Sequence, residues 1–149
     1  MTILGLPLHP LIVHLVVVFV PLAAIGGVVV SLWTWARDRY GWLVLAAGSV
    51  ALVSTIVARQ TGFEFYDSFK QHSPAMDRHM QIASPLVWWT IGLFVGEIAL
   101  MAGWLMTRRG MTRAKIVHWA GVVITVLFAL ISLVVVLQAG HAGATAVWG

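Results

Sequence analysis

Four stretches of this chain carry almost nothing but apolar side chains, with short polar intervals between them. They fall near residues 11–33, 42–58, 86–106 and 116–137, the second being the shortest. Each is long enough, or nearly so, to cross a hydrocarbon core of about 30 Å, which takes about 20 helical residues. A backbone in lipid has to satisfy its own N–H and C=O groups, so each run is expected as an α-helix. Short connections favour antiparallel neighbours. The pattern predicts an all-α polytopic membrane protein: one four-transmembrane-helix bundle over residues 1–149, with short loops after helices 1 and 3 and a longer loop between helices 2 and 3. Pro21 removes the hydrogen bond to the Val17 carbonyl inside the first run, which predicts a kink.

Charge orients this bundle. Arg37, Asp38 and Arg39 lie between the first two runs, and Arg108, Arg109, Arg113 and Lys115 between the last two. The long interval holds only Arg59, Lys70 and Arg78, together with Glu64, Asp67 and Asp77. The positive-inside rule puts the two short loops in the cytoplasm and both termini and the long loop outside. Trp33, Trp35, Trp42, Trp104 and Trp119 flank the short loops as an interfacial aromatic belt. The first run has no basic stretch ahead of it and exceeds a signal-peptide core, so it is expected to stay in the mature protein.

Composition narrows the classes. The chain is 60% hydrophobic and 9% charged, where a soluble domain carries about 25% charge. The net charge of +4 sits at the ends of the runs, which marks topology and not a nucleic-acid patch. Cysteine is absent. That excludes disulfides, thiolate nucleophiles, Cys-held iron–sulfur clusters and the covalent c-type haem motif. The sequence has no nucleophile triad, phosphate loop or metalloprotease helix.

Candidate chemistry rests on histidine. The orientation puts His9, His14, His72, His79 and His141 on the outer side and only His118 at the cytoplasmic end. His14 lies about one turn inside the first run, where a neutral imidazole needs a partner. His9 precedes Pro10, a favoured first helical residue, so it is expected just outside the helix. If both were helical, they would stand about 140° apart, not on one face. Ser73 and Pro74 read as an N-cap and first helical residue, placing His79 in the second turn of a helix that starts outside the membrane. His141 lies between Gly140 and Gly143, which suggest a turn after the fourth helix.

Three readings follow for His9, His14, His79 and His141. Two of them clamp a haem iron from different helices, since bundle cores house such cofactors. Three or four bind Cu or Zn, for which imidazole is a good ligand. Or they form interfacial hydrogen bonds with no cofactor. A His14–His79 haem carries one geometric objection: an axial offset of about 9 Å at 1.5 Å per residue. Met76 and Met80 near the same level are alternative thioether ligands, though such methionines are more often packing.

Glu97 stands near the middle of the third run. An intramembrane carboxyl is costly and a functional candidate, here as a proton relay; the structural alternative is a bond to Ser49, Ser54, Thr55 or Thr125. Gly92 and Gly96 form a GxxxG, which allows close helix packing within the chain or, in a second reading, a homo-oligomer.

The opening LPLHPLIVH, with His9, Pro10 and His14, resembles domain-of-unknown-function family 2231, a family of bacterial four-helix membrane proteins. His79 before the third run and the glycine-rich tail GHAGATAVW extend the resemblance over essentially the whole chain. Members often read His-Phe-Pro where this chain has His14, Leu15 and Val16, and many end in a Tyr-x-His-Gly element absent here. The resemblance implies a bacterial inner-membrane protein. Relatives joined to Rieske or cytochrome-type domains point by analogy to membrane electron transfer. The leading expectation is a small redox module, an electron carrier more than an enzyme. It binds one haem b near the outer face, with His14 and His79 as axial ligands and His9 and His141 as alternatives. Its partner would be a respiratory-chain or other redox membrane protein. The alternatives are a non-catalytic accessory subunit of a membrane complex with no cofactor, and an outward-facing Cu or Zn protein.

Overall fold

The computed structural model describes residues 2–3 and 6–148, with side chains from residue 8 to residue 148. Strands β1 (Thr2–Ile3) and β2 (Leu6–Pro7) pair antiparallel, with Thr2 opposite Pro7. Everything after them is helix or short turn. The helices are α1 (Leu8–Leu32), α2 (Thr34–Asp67), α3 (Pro74–Ala83), α4 (Leu86–Arg108) and α5 (Ala114–Trp148). Four of the helical segments are long and apolar enough to cross a membrane, α3 and α4 together forming the third.

The long helices form a square in the order α1, α2, α4, α5, with α5 closing back on α1. Chain direction alternates around this ring, so every neighbouring pair is antiparallel. The interior splits into two apolar clusters. One joins Val16, Val20, Ala23 and Ala24 of α1 to Ala47 and Ala51 of α2, Leu86 and Leu93 of α4, and Ala129 and Val136 of α5. The other joins Val30, Leu100 and Val122. Large apolar side chains such as Leu22, Ile25, Val53, Val95 and Leu130 are exposed around the circumference, where lipid takes the place of water.

Glycine sets the spacing of α4 and α5. A Cβ on Gly96 would stand 2.6 Å from the Thr125 amide nitrogen, and one on Gly121 would strike the Leu100 backbone. Gly92 likewise makes room for the Phe128 ring. Both glycines of the GxxxG thus face α5 within the chain.

The helices run further than the apolar runs. The stretch expected as the first short loop is helical: α1 ends at Leu32, Trp33 alone is extended (φ −115°, ψ 115°), and Arg37, Asp38 and Arg39 lie in the first turns of α2. Polar residues at the interface propagate a helix as readily as apolar ones, and nothing between Trp33 and Gly41 breaks it. His9 is inside α1 and not ahead of it. His141 is inside α5 and not in a turn, because Ala139 and Ala142 are buried and hold the helix together past Gly140.

With 34 and 35 residues, α2 and α5 reach about 51 and 52 Å at 1.5 Å per residue, well beyond a hydrocarbon core of about 30 Å. Their ends at the terminal side, with α3, form a small layer outside that core. Here α3 packs chiefly along α5. Its start is as expected: Ser73 caps it by accepting the Met76 N–H at 3.2 Å, and Pro74 follows. At the opposite end α4 closes on a Schellman motif. The Met111 N–H bonds the Met106 carbonyl, the Gly110 N–H bonds the Thr107 carbonyl, and Gly110 takes φ +65°.

Candidate functional site

The two ends of the bundle are chemically distinct, and the histidines define one of them. The α1 face that packs inward repeats every seven residues through Val16, Ala23 and Val30, all buried. One repeat earlier stands His9. Its ring enters the α1–α2 groove, where Nδ1 is 3.1 Å from the Ala58 carbonyl and 3.4 Å from Thr61 Oγ1. Phe65 stacks on it at 6.0 Å between centroids. Gly62 makes the space: a Cβ there would lie 3.0 Å from His9 Cε1.

His79 repeats the arrangement on another helix pair. Its Nδ1 is 3.0 Å from the Ala139 carbonyl of α5. Gly143 provides the notch, since a Cβ there would lie 3.1 Å from His79 Cε1. A carbonyl accepts only, so in both rings Nδ1 carries the hydrogen and Nε2 the lone pair. Neither Nε2 has a protein partner among the described residues.

The remaining histidines diverge. His14 is exposed on the face of α1 shared with Leu11, Val18 and Leu22, and its Nδ1–H bonds the Pro10 carbonyl of its own helix at 2.6 Å. His141 is exposed on α5. His72 stacks on Tyr66 at 3.8 Å and bonds the Tyr66 carbonyl at 3.0 Å. Among the described residues no three His, Cys, Asp or Glu side chains group as a metal site. His9 and His79 are thus the two imidazoles held between helices at this end, while His14 and His141 are exposed. His9 also removes most of the axial objection: five residues nearer the terminal end, it recovers about 7.5 Å of the offset.

Glu97 is the other polar feature of the interior. It is 1% exposed, and neither carboxyl oxygen has a hydrogen-bond partner among the described residues. The expected hydroxyl partners are engaged elsewhere or turned away. Ser49 bonds the Leu45 carbonyl, Ser54 and Thr55 bond that of Ala51, and Thr125 Oγ1 is itself buried without a partner. The carboxyl fits because Gly48 and Gly27 face it: a Cβ on Gly48 would strike Oε2, and one on Gly27 would lie 3.4 Å from Oε1. A carboxyl so placed needs a proton or a counter-cation.

At the far end stands a cluster the histidine-centred reading missed. Arg37 is buried, its Nη1 donates to the Val30 carbonyl at 3.3 Å, and its Nε has no partner. Asp38 accepts from Trp104 Nε1 at 2.5 Å and pairs with Arg108 at 3.5 Å. Arg108 in turn lies 4.5 Å over the Trp104 ring. The signal was present as two basic stretches, but it reads first as topology.

The chain belongs to the family described as "Predicted membrane protein (DUF2231)", whose family model matches residues 5–149. No curated protein and no solved structure matches it.

Proposed function

We propose that this protein is a small membrane redox module that holds one b-type haem at its histidine end and takes part in electron transfer. One observation carries this reading. Two imidazoles from separate helices are each locked by an Nδ1–H bond to a backbone carbonyl, and each leaves Nε2 free. That is the arrangement of metal-ligating histidines, whose second nitrogen is tied down to fix tautomer and ring orientation. The donor set fits haem iron, for which two neutral imidazoles suffice. The haem supplies the one-electron chemistry. The chain's part is to present Nε2 of His9 and His79, to hold both rings in the Gly62 and Gly143 notches, and to keep water from His9 with Phe65. His14 and His141 are not ligands in this reading.

Glu97 adds a proton-binding group in the bundle centre, and we assign it the role of a relay that takes up or releases a proton as the charge of the site changes. The basic residues at the other end support an inner-membrane orientation with the histidine end outside, facing a redox partner.

The test is an oxidised-minus-reduced visible spectrum of the purified protein, with metal analysis of the same sample. Paired Soret and α bands, lost in His9→Ala and in His79→Ala, are expected. A colourless protein from a haem-replete host would overturn the reading. Bound Cu or Zn would then indicate a metal site, and no metal at all an accessory subunit.

A further inference from the structure

The arginine end holds a cavity of about 340 Å³ where the first turns of α2 and α5 meet the last turn of α4. Arg37, Asp38, Trp104, Arg108, Lys115 and His118 line it. Three fixed cations thus face one carboxylate, and that carboxylate is already engaged by Arg108 and the Trp104 indole. Arg37 and Lys115 have no acid of their own among the lining residues. Among the described residues, Nε of Arg37 and Nδ1 of His118 have no hydrogen-bond partner, and both are shut away behind the atoms that face the cavity. The Arg37 side chain is only 8% exposed. A largely buried guanidinium with no acid of its own is costly, and an anion in the cavity beside it would offset that cost.

The exposed tryptophans around the cavity bear on the anion's class. Trp33, Trp35, Trp42 and Trp119 are all exposed around this end, as the aromatic belt at the headgroup level is. Guanidinium and ammonium groups both bind phosphate, the former as a fork of parallel N–H donors. Basic pockets between transmembrane helices are suited to anionic headgroups.

We propose that this cavity is a phosphate-binding site, filled by the headgroup of an anionic phospholipid. It lies at the end opposite His9 and His79 and does not depend on the haem reading.

The experiment uses the full chain purified in mild detergent. Native mass spectrometry and thermal denaturation are followed with phosphatidylglycerol, with phosphatidylcholine and with inorganic phosphate. Selective retention of phosphatidylglycerol is expected, with a rise in melting temperature. Lys115→Gln and Arg108→Gln should each weaken it about fivefold, corresponding to the ~1 kcal/mol of one basic residue near an anionic surface. Arg39→Gln and Arg113→Gln, exposed and outside the cavity, should not. Stabilisation by inorganic phosphate that these same cavity variants abolish, with no lipid preference, would keep the site but make its source a soluble phosphate. Lipid retention unchanged in Lys115→Gln and Arg108→Gln, or no response to any of the three, would overturn the proposal. Both substituted side chains are exposed at the cavity rim, so the variants are expected to fold where Arg37→Gln would not serve.

Discussion

The two ends of this bundle handle polar groups in opposite ways. At the histidine end the groups are imidazoles sunk into glycine notches between helices, each with one nitrogen spent on a backbone carbonyl. At the arginine end they are permanent cations in first and last helical turns, laced to one carboxylate and one indole. What separates a group that merely orients a helix in the bilayer from one ready for a ligand is whether it is held between helices with a hydrogen-bonding atom left over; His14 also keeps Nε2 free, but its Nδ1–H bonds only its own helix. His14 is polar, but its ring is turned outward on the face of α1 that carries Leu11 and Leu22. Nε2 of His9 and of His79, and Nε of Arg37, are left over.

The largest effect should come from breaking the scaffold that holds both ends in place. Gly96→Val forces a side chain against the Thr125 backbone, and overpacking of this kind costs about 3 kcal/mol. Thermal denaturation in detergent should show it, and both end sites should be lost together. His9→Ala and His79→Ala come next and should act on one end only. Each removes a proposed axial ligand and is expected to abolish haem binding, with unchanged lipid retention at the arginine end. Glu97→Leu should sharpen the contrast from the middle. Removing a buried carboxyl with no partner is expected to stabilise the fold by about 2 kcal/mol; a loss of stability would mean that the carboxyl holds a bound cation or water. Gly62→Ala and Gly143→Ala bring a methyl group to 3.0 Å from the His9 ring and 3.1 Å from the His79 ring. Haem affinity should fall about tenfold in each, read by titration of the apoprotein. The smallest effect is expected for Asp38→Asn. Its ion pair with Arg108 is half exposed on both sides, so denaturation should register less than about 1 kcal/mol.

Much of the fold was legible, and for a physical reason. Lipid imposes one strong rule on composition, and all four apolar runs lie in helices long and apolar enough to span. The Ser73–Pro74 start of α3 was readable because a cap is a local device. The helix ends were less so. Hydropathy drops at Thr34 and again past Leu137, but helicity follows backbone hydrogen bonding, and neither Arg37–Arg39 nor Gly140–Gly143 interrupts it. The site was half legible. His79 could be placed from its own helix start. His9 could have been separated from His14 by extending the buried repeat of Val30, Ala23 and Val16 by one step, which lands on His9 and leaves His14 outside. The engagement of both rings could not be read, because Ala58 and Ala139 act through backbone carbonyls, 49 and 60 residues away in the chain. A carbonyl leaves no mark on residue type. The isolation of Glu97 was equally hidden, since Ser54 and Thr55 turn back on their own helix.

The most direct test of the account is the reduced-minus-oxidised visible spectrum of the wild-type protein beside His9→Ala, His14→Ala and His79→Ala. The account predicts low-spin haem bands at about one haem per chain in the wild type and in His14→Ala, and none in the other two. Bands that survive in His9→Ala and disappear in His14→Ala would contradict it.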